Sequence, residues 1–187
     1  MVARSVRFAA SWAPRHVSSG TTIIRQQEPA ANEIIVLSGC LASSIYDPDG
    51  NEICVGLHVG PCVVAPTIAR TRDGASRVAI EAITHASIVQ IDAAKLTDLM
   101  IASEPLRTWA NAILRAELGH KADREWCLAA LGGADRLGWF RDRFPGYEDI
   151  FSHARIASFL GMTPVTLSRL RRKDRQSAPP PPGGTGR

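Results

Sequence analysis

The chain has 187 residues, 45% of them hydrophobic, and a formal net charge of +4, which allows one large domain or two small ones with real cores. No apolar run approaches the ~18 to 20 residues that span a bilayer. Four widely spaced cysteines (Cys40, Cys54, Cys62, Cys127) contain no CxxC pair, which argues against a zinc site or a disulfide-stapled secreted domain.

The amino terminus, MVARSVRFAASWAPR, has no long apolar segment ahead of a small-residue cleavage site, so a secretory signal is not expected. It holds Arg and Ser without acids until Glu28, a faint transit-peptide pattern that strand-like sequence overtakes at once. A cytoplasmic protein without a membrane partner is the expectation.

From about Arg15 to Ile91 the sequence reads as short strands. VSSGTTIIRQ, NEIIVLSG, LASSIYDPDGNEICVGLHVG and SRVAIEAITHASIVQID are rich in β-branched residues and punctuated by Gly, Pro, Asp and Asn. Asp47-Pro-Asp-Gly-Asn51 predicts a hairpin turn. Short strands with frequent turns suggest a sandwich, jelly roll or small barrel.

Near Asp92 the period changes to three and four. Pro105 sits where a helix can begin behind Ser103. Leu106 and Ile113 recur at seven with Trp109 and Ala110 alongside, so these four residues are the expected dimer seam. A helix lying on the β domain is the other reading of the same pattern. The seam weakens after Gly119, where His120 and Asp123 intrude. Gly132-Gly133 looks like a hinge, and the ending QSAPPPPGGTGR is expected to be disordered.

Between them lies IASFLGMTPVTLSRLRRK, from Ile156 to Lys173. Its residue types meet the steric demands of a helix-turn-helix. Ala157 is small where the helices cross, and Gly161 tolerates the positive φ of the turn. Ile156, Leu160, Met162, Leu167 and Leu170 supply an inward apolar face, Thr163 can cap the second helix, and Pro164 fits its first turn. Val165, Ser168, Arg169 and Arg172 remain on the outward face, where such a helix meets base edges. Arg169 could grip guanine O6 and N7, and Val165 a thymine methyl. Arg171, Arg172 and Lys173 suit phosphates. The dense basic run around Arg169 to Arg175 fits a polyanion partner. The expected DNA-binding set is Thr163, Val165, Ser168, Arg169, Arg171, Arg172 and Lys173.

The order of β-roll, helix and carboxy-terminal helix-turn-helix resembles Crp/Fnr-type bacterial transcription regulators. The resemblance runs from Arg15 to Lys173. It rests on GTTIIRQQEPAANEIIVLSGCLASSIYDPDGNEICVGLHVG and, more specifically, on ADRLGWFRDRFPGYEDIFSHARIASFLGMTPVTLSRLRR. It implies an α+β chain with a jelly-roll-like, cyclic-nucleotide-binding-like sensor domain over 1–102. A dimerisation helix over 103–131, a helix-turn-helix domain over 132–175 without an evident wing, and a tail over 176–187 would follow. It also implies double-stranded DNA, a second copy of the chain and RNA polymerase as partners.

Nucleotide-binding members of the family carry Gly-Glu, then Arg followed by Ser or Thr. Here GPCVVAP puts Val64 and Ala65 at the first pair, and GASRVAIEAIT puts Ser76 at the Arg position with Arg77 one place late. A one-residue slip turns a strand side chain to the other face. Arg70, Arg72, Ser76 and Arg77 remain the ligand-binding candidates. A lost carboxylate-to-hydroxyl bond removes roughly 1.5–3 kcal/mol, so cyclic AMP is not the expected effector, whose identity stays open.

The family's iron–sulfur form needs cysteines ahead of the β-roll, and Cys40 lies inside it. None of His16, His58, His85, His120 and His153 has the context of a haem ligand. No cofactor or metal is identified. A small-molecule or thiol-redox sensor, using Cys54 and Cys62 and acting through protein contact, is the alternative function. Catalysis is not expected, because no His-His-Glu set and no nucleophile with a base appears.

Overall fold

The computed structural model describes residues 12–177. The amino-terminal stretch read for targeting, up to residue 11, and the Pro/Gly-rich tail from residue 178 lie outside the described residues. The chain divides into two compact units between Trp126 and Cys127, inside a helix.

The first unit is built from antiparallel strands. They are β1 (Arg15–Val17), β2 (Thr22–Ile24), β3 (Asn32–Ser38), β4 (Cys40–Tyr46), β5 (Glu52–Val59), β6 (Cys62–Val63), β7 (Thr71–Arg72), β8 (Ala75–Ser76), β9 (Ala79–Ala82) and β10 (Ala86–Asp92). One sheet has the order β1-β10-β3-β6, the second β2-β9-β4-β5, and β7-β8 is a separate pair. A short helix, α1 (Thr67–Arg70), interrupts the strands, and α2 (Ala93–Ala102) and α3 (Glu104–Ala130) follow them. Antiparallel sheet followed by helices is the α+β arrangement expected from the sequence.

The strand period explains the core. In β3, Ile34 and Val36 face Leu41, Ile80 and Ile88 in the roll interior. Ile35, one residue out of phase, joins Val89, Ile91, Leu96 and Trp109 on the sheet's other face. Both faces are covered, so this strand reads as a continuous apolar run instead of an alternating one. Leu106, Ala110 and Ile113 pack onto that second cluster. The residues expected to form a dimer seam therefore lie on their own sheet. A seven-residue apolar repeat serves either surface equally well, and here the sheet takes it.

The Asp47–Asn51 turn forms as expected. Asp47 N donates to Asn51 O (3.1 Å) and Gly50 N to Asp47 O (3.0 Å), while Asp47 Oδ1 accepts from Asp49 N and Asn51 N. These bonds, led by that from the Asn51 side chain, hold the Asp47 carboxyl below its ordinary value. Gly39, between β3 and β4, has φ +87°, and a Cβ there would stand 2.3 Å from His85 O. No other residue fits that corner. Asp92 caps α2, accepting from Lys95 N at 2.9 Å. Gly119 does not interrupt α3, which runs continuously through it. No helix among the described residues is long and apolar enough to cross a membrane.

The second unit begins with the end of α3 and contains α4 (Gly133–Arg143), α5 (Tyr147–Ile150), α6 (His153–Phe159) and α7 (Pro164–Ser177). Its centre is aromatic. Phe140 lies 5.3 Å from Phe144 and 5.9 Å from Phe159, and Phe144 meets Phe159 edge-on at 5.6 Å. Leu137, Ile156, Leu160 and Leu167 are fully buried around them.

His58 on β5 is the notable polar group of the first unit, its Nε2 2.9 Å from Ser43 Oγ. Burial, and then the charges of Lys121 and His120 on α3, push its pKa down to about 4. The unfolded chain takes that proton first, near pH 6.5, so stability is full above that value and falls as pH drops toward about 4. The urea midpoint should therefore be lower at about pH 5 than at about pH 7, and His58→Gln should flatten the difference. Equal pH dependence in both proteins would remove His58 as its source.

Candidate nucleic-acid interface

The helix-turn-helix is assembled by α6, the turn at residues 160–163, and α7. Ser152 caps α6, its hydroxyl accepting from Arg155 N at 3.3 Å. Ala157 is fully buried at the crossing. Gly161 has φ +62°, which favours glycine, and a Cβ there would come within 3.1 Å of Leu128 Cδ2, so that side chain would have to give. Met162 N then donates back to Ala157 O at 3.0 Å. Thr163 Oγ1 accepts from Thr166 N at 3.2 Å and caps α7, with Pro164 in the first turn. Ile156, Leu160 and Leu167 are completely buried, whereas Met162 and Leu170 are half-buried.

Sequence reasoning missed Arg136, which holds the turn in place. Its Nη2 donates to Leu128 O (2.9 Å) and its Nε to Leu131 O (2.9 Å). Its Nη1 donates to Leu160 O (3.1 Å) and Gly161 O (3.3 Å). One guanidinium thus closes the end of α3 and the corner of the helix-turn-helix together. Nothing in the sequence distinguishes this Arg from its neighbours on α4.

Val165, Ser168, Arg169, Arg172 and Lys173 are exposed on the outward side of α7, together with Thr163 at its start. Val165 is 59% exposed, an apolar side chain with no role in the unit's packing. Arg171 departs from this set. Its Nη1 donates to His153 Nδ1 at 2.8 Å, and Nη2 lies 2.6 Å from Glu148 Oε1. That ion pair is close, but its angles fall outside hydrogen-bond geometry. Arg171, expected at a phosphate, is held within its own unit by a carboxylate and an imidazole. The Arg175 side chain lies outside the described residues.

Glu148 Oε2 also accepts from Arg141 Nε at 2.7 Å, and Arg141 Nη1 donates to Asp174 Oδ2 at 2.7 Å. Burial would raise the Glu148 carboxyl, but Arg141 and then Arg171 hold it below its ordinary value.

In the first unit the four ligand candidates sit on the β7–β8 hairpin and its ends, where Arg77 N donates to Arg70 O at 2.7 Å. Arg70 is buried, its Nε donating to Ala65 O at 3.0 Å and its Nη2 to Asn32 O. Burial lowers its pKa and Glu33 offsets part of that. Ser76 is buried and donates to Val78 O at 2.6 Å. Arg72 and Arg77 are exposed. Val64, at a position where the resemblance places Gly or Glu, is a core residue. Burial, and then Cys40, raise the Cys62 thiol to about 12, the reverse of what a reactive thiolate needs. Cys54 is buried, with its thiol toward Gly56 O at 3.7 Å. Among the described residues no group of three or more His, Cys, Asp and Glu could hold a metal ion.

The cyclic nucleotide-binding domain family matches residues 14–103. No curated protein matches the chain. Among solved structures, FixK2 from Bradyrhizobium japonicum is similar with a TM-score of 0.75 at 21% identity, over 89% of this chain and 85% of that one. The c-di-GMP-responsive global regulator CLP from Xanthomonas campestris gives 0.71 at 16%, over 95% and 93%. A transcriptional regulator described as Crp/Fnr family from Eubacterium rectale gives 0.70 at 19%, over 92% and 83%. Residues 14–103 match the cyclic nucleotide-binding domain family, and the chain shares its fold with these solved structures.

Proposed function

We propose that this chain is a cytoplasmic, homodimeric, sequence-specific DNA-binding regulator that reads an imperfect palindrome through α7. The carrying observation is the division of α7 into two faces. Leu167 is fully buried, while Val165, Ser168, Arg169 and Arg172, spaced at three, four and seven, stand free of the unit's core. A solvated helix end would account for the cations but not for an exposed Val among them. In the major groove Arg169 pairs with guanine O6 and N7, Val165 meets a thymine methyl, and Arg172 and Lys173 take phosphates.

The dimer contact is assigned to the other side of α3 from the one the sequence suggested. Leu118, Ala122 and Trp126 recur at four residues, opposite Trp109 and Ile113. Leu118 is 57% and Trp126 56% exposed, and burying each would contribute about 1.5–3 kcal/mol. Paired recognition helices would enter major grooves about 34 Å apart. Cyclic AMP is not the effector in this reading, since Val64 and Ala65 offer no carboxylate to a ribose.

Selection from a random-duplex library, then anisotropy titration at two salt concentrations, tests the proposal. The expected winner is palindromic, with affinity falling steeply as salt rises. Arg169→Ala should weaken that duplex about tenfold to a hundredfold while changing scrambled duplex little; equal losses on both would take Arg169 out of base reading. Leu118→Glu with Trp126→Glu should convert the dimer to monomer in sedimentation and remove the concentration dependence of the melting temperature. Trp109→Ala should lower the melting temperature while leaving the dimer intact, and a monomeric wild type at micromolar concentration would sink the dimer.

A further inference from the structure

We infer that His153 and Arg171 form a positioning clamp for α7, and that the clamp holds only while His153 is uncharged. The inference rests on the DNA-reading function proposed above and adds a control on it.

His153 opens α6, and its ring touches α7 at two points. Nε2 lies 2.9 Å from Pro164 O, and Nδ1 lies 2.8 Å from Arg171 Nη1. A carbonyl oxygen only accepts and a guanidinium only donates. Nε2 must therefore carry the hydrogen and Nδ1 the lone pair. One neutral tautomer satisfies both contacts, and neither the other tautomer nor the imidazolium does.

The clamp continues outward. Arg171 Nη2 faces Glu148 Oε1 on α5 at 2.6 Å, Glu148 Oε2 faces Arg141 Nε on α4 at 2.7 Å, and Arg141 Nη1 returns to Asp174 Oδ2 on α7 at 2.7 Å. The recognition helix is thus tied at Pro164, Arg171 and Asp174 to each of the three helices before it. Arg171 is 22% exposed by side chain, in contrast to the exposed Arg169 and Arg172 beside it.

A second proton on the ring sits on Nδ1 and meets the Arg171 N–H head-on. Two donors and two positive charges then share the space of one hydrogen bond. The charged groups around the ring do not reverse this. Arg171 and Asp174 come from α7, Glu148 from α5, Arg141 from α4 and Arg155 from its own helix. Glu148 is shared between Arg141 and Arg171, and Asp174 is bonded to Arg141. The bond to Pro164 O survives protonation, so the start of α7 stays docked while its middle is released.

Added protons ordinarily strengthen binding to a polyanion. The clamp predicts the opposite sign: affinity for the selected duplex falls about tenfold on acidification, with the loss of one charge-assisted hydrogen bond. His153→Gln keeps a donor and an acceptor but does not titrate, and it should flatten the profile. Arg171→Gln should weaken binding while leaving the salt slope unchanged, whereas Arg172→Gln lowers that slope by about 0.9. An equal slope change from Arg171→Gln would make Arg171 a phosphate contact and overturn the clamp, as would a pH profile that His153→Gln does not alter. If no duplex is selected at any pH, the DNA-reading proposal fails separately, and histidine-labelled ¹⁵N NMR of the whole chain decides the clamp alone. Protonated Nε2 with bare Nδ1 at neutral pH supports it, and the opposite tautomer overturns it.

Discussion

The carboxy-terminal unit depends on how two sets of unpaired carbonyls are satisfied. The last carbonyls of a helix have no intrahelical partner, and a tight turn leaves others facing inward. Arg136 takes both sets, those of Leu128 and Leu131 at the end of α3 and those of Leu160 and Gly161 in the turn. Buried carbonyls without donors are costly, so this guanidinium sets where the turn can sit. Gly161 suits that corner by its positive φ, and a side chain there would crowd Leu128 and Arg136 itself. The direction of α7, and with it the outward face that carries Arg169, is fixed by contacts made on the inward side.

What was legible in the sequence was what local sterics dictate. Ala157, Gly161, Thr163 and Pro164 each answer a demand made within a few residues, and each stands where expected. The Asp47–Asn51 turn was readable for the same reason. The β-rich segment before Asp92 was readable as strands, but Ile35 shows why its layers were not. The run Ile34-Ile35-Val36 states that both faces of β3 are covered without stating by what. The helix over Leu106 to Ile113 illustrates the same limit from the other side. Its apolar repeat was visible, yet a repeat specifies a buried face and not the partner that buries it.

Arginine was the least legible residue type. Arg136, Arg141 and Arg171 look in the sequence like any other cations near a basic run. Their roles come from carbonyls and carboxylates brought close by packing between helices. Arg70 is the same case in the first unit, a cation in the expected ligand cassette that holds the chain's own backbone at Ala65 and Asn32.

The electrostatic meaning of the basic segment changes accordingly. Read as a run, Arg169 to Lys173 offers four positive charges to a polyanion. In the structure Arg171 and Arg141 meet Glu148 and Asp174, and those four charges cancel among themselves. Each phosphate neutralised by a protein cation releases a counterion and steepens the salt dependence, so only cations left outside that network contribute. Arg169, Arg172 and Lys173 remain on the exposed face, and under the proposed DNA reading a larger share of binding would come from base edges than the bare charge count implies. Under that proposal the chain would give up some non-specific attraction and gain a fixed helix. That fixed helix is the condition under which one well-aimed guanidinium can discriminate one base pair from another.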